Sequence, residues 1–287
     1  MSLARFFPRP QTALGGNGGG NGPTPEEIRA VVKRELGTLV ATGNVSVPRA
    51  PEVALEVLRL SCRSTVSSSQ IARPLQRDPF LTGRLLKLAN SAAMAPRGRT
   101  IVSIHEAVTR VGILAVRNLL LSAAMKQTVF RGPHRKLLRA LWVQSLGTAV
   151  ASELIARQLR RPSELAFAVG ILHDIGRPLL VSCIDKLTCD EGVTMDFETV
   201  WEVVDGDLSR AASALLFTAW DLPEELRVAL EERSPEGEAQ LRLASWIASS
   251  DRHDLRMMAR ISEPLELNDD DATKILTRYP KVLDQLR

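Results

Sequence analysis

Apolar residues recur at helical spacing along most of this chain. Between Phe80 and Asn90 they fall at Leu81, Leu85, Leu86 and Leu88, a helical spacing. Leu114 to Val129 and Leu137 to Leu159 carry the same periodicity over longer stretches. Capping residues mark the boundaries. Thr24-Pro25-Glu26-Glu27 combines a hydroxyl cap, a proline at the first helical position and a glutamate three residues on. It predicts a helix running to about Leu39, short of Gly43-Asn44. A second helix is expected from Glu52 to about Cys62, after the turn bracketed by Pro48 and Pro51. Ser67-Ser68-Ser69 opens a third, ending before Pro74. Ser103-Ile104-His105-Glu106 is another capping box, and Gly112 ends the helix it starts. Ser163 is expected to cap the helix that carries Leu172, His173 and Asp174, with Gly176 as its stop. Further helices are predicted at Phe197–Val204, Leu208–Trp220, Glu224–Glu231, Glu238–Ser250 and Asp269–Tyr279. No stretch sustains the apolar–polar alternation of a half-buried strand, and no internal repeat has a fixed period. The predicted fold class is all-α.

Composition sharpens this picture. Hydrophobic residues make up 45% of the 287 but aromatics only 4%, so the core must be built from Leu, Val, Ile and Ala, which favours packed helices. The net charge of +4 permits nucleic-acid or acidic partners without demanding them. Cys62, Cys183 and Cys189 are odd in number and lack metal-site spacing. They point to a reducing compartment, with neither a disulfide frame nor a zinc site. Met1 to Leu14 has no continuous apolar core, and no later stretch reaches the roughly 18 uncharged apolar residues of a membrane span. A cytoplasmic protein without a membrane partner is expected. Residues 1–23 read as a disordered leader, because Gly15 to Gly22 can bury little surface. Residues 24–43 form an N-terminal helix, and 254–287 a C-terminal helical tail.

The candidate chemistry lies at Gly170-Ile171-Leu172-His173-Asp174-Ile175-Gly176-Arg177, an adjacent His-Asp pair at the end of an apolar run. Two longer stretches go with it. One is Arg77-Asp78-Pro79-Phe80-Leu81 through Leu88-Ala89-Asn90-Ser91, followed by Ile104-His105-Glu106-Ala107-Val108. The other runs from Leu141-Trp142 through the His-Asp pair to Trp220-Asp221-Leu222-Pro223. In these motifs the chain resembles the HDOD domain, a relative of the metal-dependent HD phosphohydrolases, over roughly residues 44–253. The resemblance implies a two-lobed, all-helical domain with an HD-type core and a role in bacterial signal transduction, sometimes near cyclic dinucleotide pathways. It also implies where further metal ligands would stand. The Trp-x-His-Ser pattern here reads Trp142-Val143-Gln144-Ser145, with Gln144 at the ligand position. Ser209, Arg233 and Ser245 occupy the other three. A neutral amide or hydroxyl binds transition metals poorly beside imidazole. His173 and Asp174 are therefore expected to be a vestigial pair, with no metal, no cofactor and no catalytic residue. Asp174 can accept hydrogen bonds, and Arg177 can pair with it or with an anionic ligand. His105, His134 and His253 are expected at the surface.

Arg131, Arg135, Lys136 and Arg139 form one basic cluster, and Arg157, Arg160 and Arg161 a second. With Arg177 they are candidate anion-binding residues. No interleaved aromatics mark a base-stacking surface, so nucleic acid or a cyclic dinucleotide is weakly supported. No phosphate-binding glycine loop is present. Cys183 lacks His and Asn partners and reads as a small buried residue. The leading expectation is a pseudoenzyme: a signalling or scaffold module acting through a protein partner. The alternative is a phosphohydrolase with a carboxylate-rich metal site at His173 and Asp174, drawing on Asp205, Asp207 or Glu232.

Overall fold

The computed structural model describes residues 24–48, 52–61, 66–77, 79–91, 94, 100–119, 122, 133–189, 195–204, 206–232, 234–249 and 263–286. The expected leader, Cys62, Arg131, Arg233, His253 and the start of the tail lie outside them. The described residues are helical with no strands, so the all-α prediction holds. They form α1 (Pro25–Ala41), α2 (Glu52–Ser61), α3 (Ser68–Gln76), α4 (Pro79–Ala89), α5 (Ile104–Val111) and α6 (113–119). After these come α7 (Arg135–Gln158), α8 (Ser163–Leu172), α9 (Gly176–Cys189), α10 (Phe197–Val204) and α11 (Asp207–Ala219). The last are α12 (Glu224–Glu231), α13 (Pro235–Ser249) and α14 (Asp269–Leu286). The chain divides into two units. The first comprises Met1–Pro48, Val129–Leu141 and Asp174–Ala219; the second comprises Arg49–Thr128, Trp142–His173 and Trp220–Arg287.

In the first unit α1 packs on α9, α10 and α11. Its capping box forms as predicted: Glu27 N–H donates to Thr24 Oγ1 at 3.3 Å, and Thr24 N–H donates to Glu27 Oε2 at 2.8 Å. Val32, Leu36 and Val40 recur every fourth residue and are buried. The helix ends in a left-handed Gly43, φ 65°, with Asn44 N–H returning to the Leu39 carbonyl at 3.0 Å. Val200, Val203, Leu216 and Phe217 complete this core from α10 and α11.

In the second unit α3 packs against α2, α4 and α5, and α12 against α8. Asn90, just past α4, works as a clamp. Its Nδ2 donates to the carbonyls of Leu86 and Ile101, both at 2.8 Å, while Ile101 N–H donates to its Oδ1 at 2.8 Å. Around α7 the backbones come close. A Cβ on Gly170 would stand 2.6 Å from the Ala149 Cα. A buried polar chain crosses this core: Arg117 donates to Asn118 Oδ1 at 3.0 Å, and Asn118 donates to the buried Glu153 at 2.5 Å.

Several boundaries differ from the sequence pattern. α3 continues through Pro74 because Ile71, Ala72 and Leu75 bury its last turn. Ser163 does not cap α8; the helix starts at Ser163 itself, with Pro162 before it and no side-chain cap. α14 runs through Pro280 to Leu286, held by buried Tyr279 and Leu283. α13 starts at Pro235, three residues before the predicted Glu238. Of the predicted Leu114–Val129 helix, only 114–119 and 122 are described. Gly176 is no stop. It is the first residue of α9, a helix the pattern did not predict. Pro178 sits in its first turn, where a missing N–H costs nothing.

Candidate functional site

α8 ends at Leu172, and His173 is its C-cap residue. The His173 Nδ1 lies 2.8 Å from the Gly170 carbonyl oxygen, so the neutral ring carries its proton there. Three residues of the implied ligand set share the second unit: His173, half-buried Gln144 on α7 and half-buried Ser245 on α13.

Asp174 opens the segment of the first unit that leads into α9. Its Oδ2 lies 2.9 Å from Arg177 Nη1, and its Oδ1 accepts from Ser209 Oγ at 3.2 Å. Both partners of the ion pair are mostly shielded, with side-chain exposures of 16% for Asp174 and 18% for Arg177. The guanidinium also lies over the Trp201 ring of α10, 4.7 Å from its centroid, where the ring face attracts the cation. A carboxylate just ahead of a helix start is favoured by the backbone dipole, which suits Asp174 before α9.

Gly176 makes this arrangement possible. A Cβ there would stand 2.0 Å from the Ser209 carbonyl oxygen and 2.7 Å from the Ser213 nitrogen. The Gly176 N–H donates to Ser213 Oγ at 2.9 Å, and that hydroxyl donates to the Ser209 carbonyl at 2.9 Å. The glycine thus lets α9 meet α11 backbone to backbone and sets Ser209 within reach of Asp174.

Elsewhere in the first unit, His134 differs from the surface histidine expected. Its Nδ1 is hydrogen-bonded to the buried Asp185, and its Nε2 is 2.9 Å from the Met195 carbonyl oxygen. Burial alone would lower its pKa. The Asp185 hydrogen bond, the Met195 carbonyl and the Asp185 charge outweigh it and raise the pKa above the usual 6.5. Cys183 is buried as expected, and burial pushes its thiol pKa up.

The basic residues are divided between the two units, with Arg135, Lys136, Arg139 and Arg177 in the first and Arg157, Arg160 and Arg161 in the second. Arg135, Lys136 and Arg139 are exposed in the first turns of α7, and Arg160 and Arg161 lie beyond its other end. Arg157 pairs with buried Glu153 at 2.5 Å, and Arg177 is engaged by Asp174. Among the described residues no three His, Cys, Asp or Glu side chains converge as a metal-binding group.

Asp174, Ser209 and Arg177, all marked by the sequence, meet here. Trp201 and the packing role of Gly176 are visible only in the fold. No spacing ties an aromatic on α10 to an arginine on α9, whereas a glycine just after a charged pair was a usable signal read only as punctuation.

The HDOD domain profile matches residues 47–234, and the chain belongs to the HDOD family. Solved structures share the fold. A Shewanella amazonensis protein, provisionally named a metal-dependent phosphohydrolase, is 19% identical with a TM-score of 0.65, covering 90% of this chain and 99% of its own. A Geobacter sulfurreducens HDOD domain protein of unknown function is 22% identical with a TM-score of 0.62, covering 91% and 98%. A Marinobacter aquaeolei protein, provisionally named for signal transduction, is 18% identical with a TM-score of 0.58, covering 90% and 64%. Among curated proteins there is no match.

Proposed function

We propose that this HDOD protein is a non-catalytic signal-transduction module that acts through a protein partner and keeps its His-Asp pair for packing. The observation that carries the reading is the state of Asp174. One carboxylate oxygen faces the Arg177 guanidinium at 2.9 Å and the other accepts from the Ser209 hydroxyl at 3.2 Å. A metal held by the pair would need this carboxylate as a ligand, and the guanidinium already supplies the positive charge beside it. A second cation at that distance would be repelled. Ser209, a neutral hydroxyl, cannot replace an imidazole as donor. This donor set does not fit a metal ion. The provisional name of the Marinobacter protein accords with a signalling role.

The test is metal content joined to turnover. Protein incubated with manganese, iron or zinc and then desalted is analysed for metal. In parallel it is assayed on a chromogenic phosphodiester and a phosphomonoester. The expected result is well under one equivalent of metal and no turnover that depends on Asp174. About one equivalent per chain, lost in Asp174→Ala together with turnover, would overturn the proposal in favour of the phosphohydrolase reading.

A further inference from the structure

The second unit contains a cavity of about 280 Å³ between α7, α8, α12 and α13. Leu165 and Val169 of α8 belong to its apolar wall, and Gln240 and Ser152 supply buried polar groups. Ser152 is 2% exposed, and its hydroxyl has no hydrogen-bond partner among the described residues. The Thr148 hydroxyl, one turn earlier on α7, is likewise buried without a partner among the described residues. The Ser152 carbonyl is already used, accepting from Gln240 Nε2 at 3.0 Å.

Two opposite charges line the same cavity, Arg161 and Glu232, both exposed and neither in an ion pair among the described residues. Each stands at the wrong end of a helix. Arg161 precedes the N-terminus of α8, where Pro162 provides no side-chain cap and the backbone end is already positive. Glu232 is the C-cap residue of α12, at a backbone end that is already negative. The backbone holds Arg161 in place. Arg160 takes the left-handed conformation, φ 54°, and Arg161 N–H returns to the Ala156 carbonyl at 2.8 Å. This is the helix stop seen at Gly43, built here on an arginine that pays the steric cost a glycine avoids.

The geometry points to a binding site for a small aliphatic zwitterion, with its carboxylate at Arg161 and the α8 N-terminus and its ammonium at Glu232. A volume of about 280 Å³ lies at the lower end of the roughly 300–1,000 Å³ of small-molecule sites, so the ligand is small. Leucine has that size and an alkyl group for the apolar wall. The site goes beyond the proposed signalling role and does not depend on it.

The test is calorimetric titration of the full chain with three probes: leucine, 4-methylpentanoate, which lacks the ammonium, and 3-methylbutylamine, which lacks the carboxylate. Leucine is expected to bind at least about tenfold more tightly than either analogue. Arg161→Gln should remove its advantage over the amine, and Glu232→Gln its advantage over the acid. Ala166→Leu, which fills the cavity, should abolish binding while circular dichroism shows the helices intact. If Ala166→Leu unfolds the chain, the two charge variants carry the test alone. No leucine binding at about 10 mM, or leucine binding that neither charge variant weakens, would overturn the assignment.

Discussion

Replacing Gly176 by alanine adds one methyl group where α9 meets α11. The new carbon would lie 2.0 Å from the Ser209 carbonyl oxygen and 2.7 Å from the Ser213 backbone nitrogen. Ordinary contact needs about 3.5 Å or more. Both atoms are backbone, so no side chain can swing away, and the helices must separate by more than an ångström. Overpacking of this kind costs about 1–3 kcal/mol, and a backbone contact belongs at the upper end. Separation also stretches the bond from Gly176 N–H to Ser213 Oγ, now 2.9 Å, a further ~1 kcal/mol. Alanine returns at most ~1 kcal/mol through its better helix propensity. The expected net loss is about 3 kcal/mol, a large share of a typical stability of 5–15 kcal/mol. Urea unfolding followed by far-ultraviolet circular dichroism measures it. Gly37→Ala in α1 is the control. Nothing lies within 4 Å of its Cβ, and a gain of up to about 1 kcal/mol is expected. A Gly176→Ala loss under about 1 kcal/mol would refute the argument that this glycine holds the two helices together.

Two further outcomes follow from the same unit. Arg177→Leu should destabilise the protein by about 2–4 kcal/mol because it leaves the shielded Asp174 carboxylate without its cation, whereas Asp174→Asn combined with Arg177→Leu should cost less than the two single changes together. Strict additivity in that double-mutant cycle, read by urea unfolding, would show that the pair is not coupled. His134 gives a pH dependence. Its raised folded pKa means that its stabilisation is fully present below about pH 6.5, the unfolded value, and is lost as pH rises through the folded value. The melting temperature should therefore fall with rising pH across that window, and His134→Gln should flatten the slope. An unchanged slope in the variant would assign the dependence to another group.

Much of the helical framework was legible because amphipathic period and capping chemistry are local. Phe197–Val204 and Glu224–Glu231 have the bounds that their apolar spacing predicts. α9 escaped because Gly176 and Pro178 both read as breakers, while its position as a packed helix depends on α11, over thirty residues downstream. The Asp174–Ser209 contact was legible only through a family resemblance that marked both positions. The His134–Asp185 pair spans 51 residues and lies between two segments that no pattern connects. The cavity between α7, α8, α12 and α13 was invisible for the same reason, because its lining comes from segments that no local pattern connects.

The Asn90 clamp has a consequence for how this chain tolerates change. One amide side chain holds Ile101 against the end of α4 through bonds of 2.8 Å. The two anchor points are therefore joined by a cross-link whose strength is independent of the residues strung between them. Residues inserted between Leu85 and Asn90 would rotate the clamp off its partner and undo the anchorage, so the register of this last turn of α4 is fixed from outside the helix.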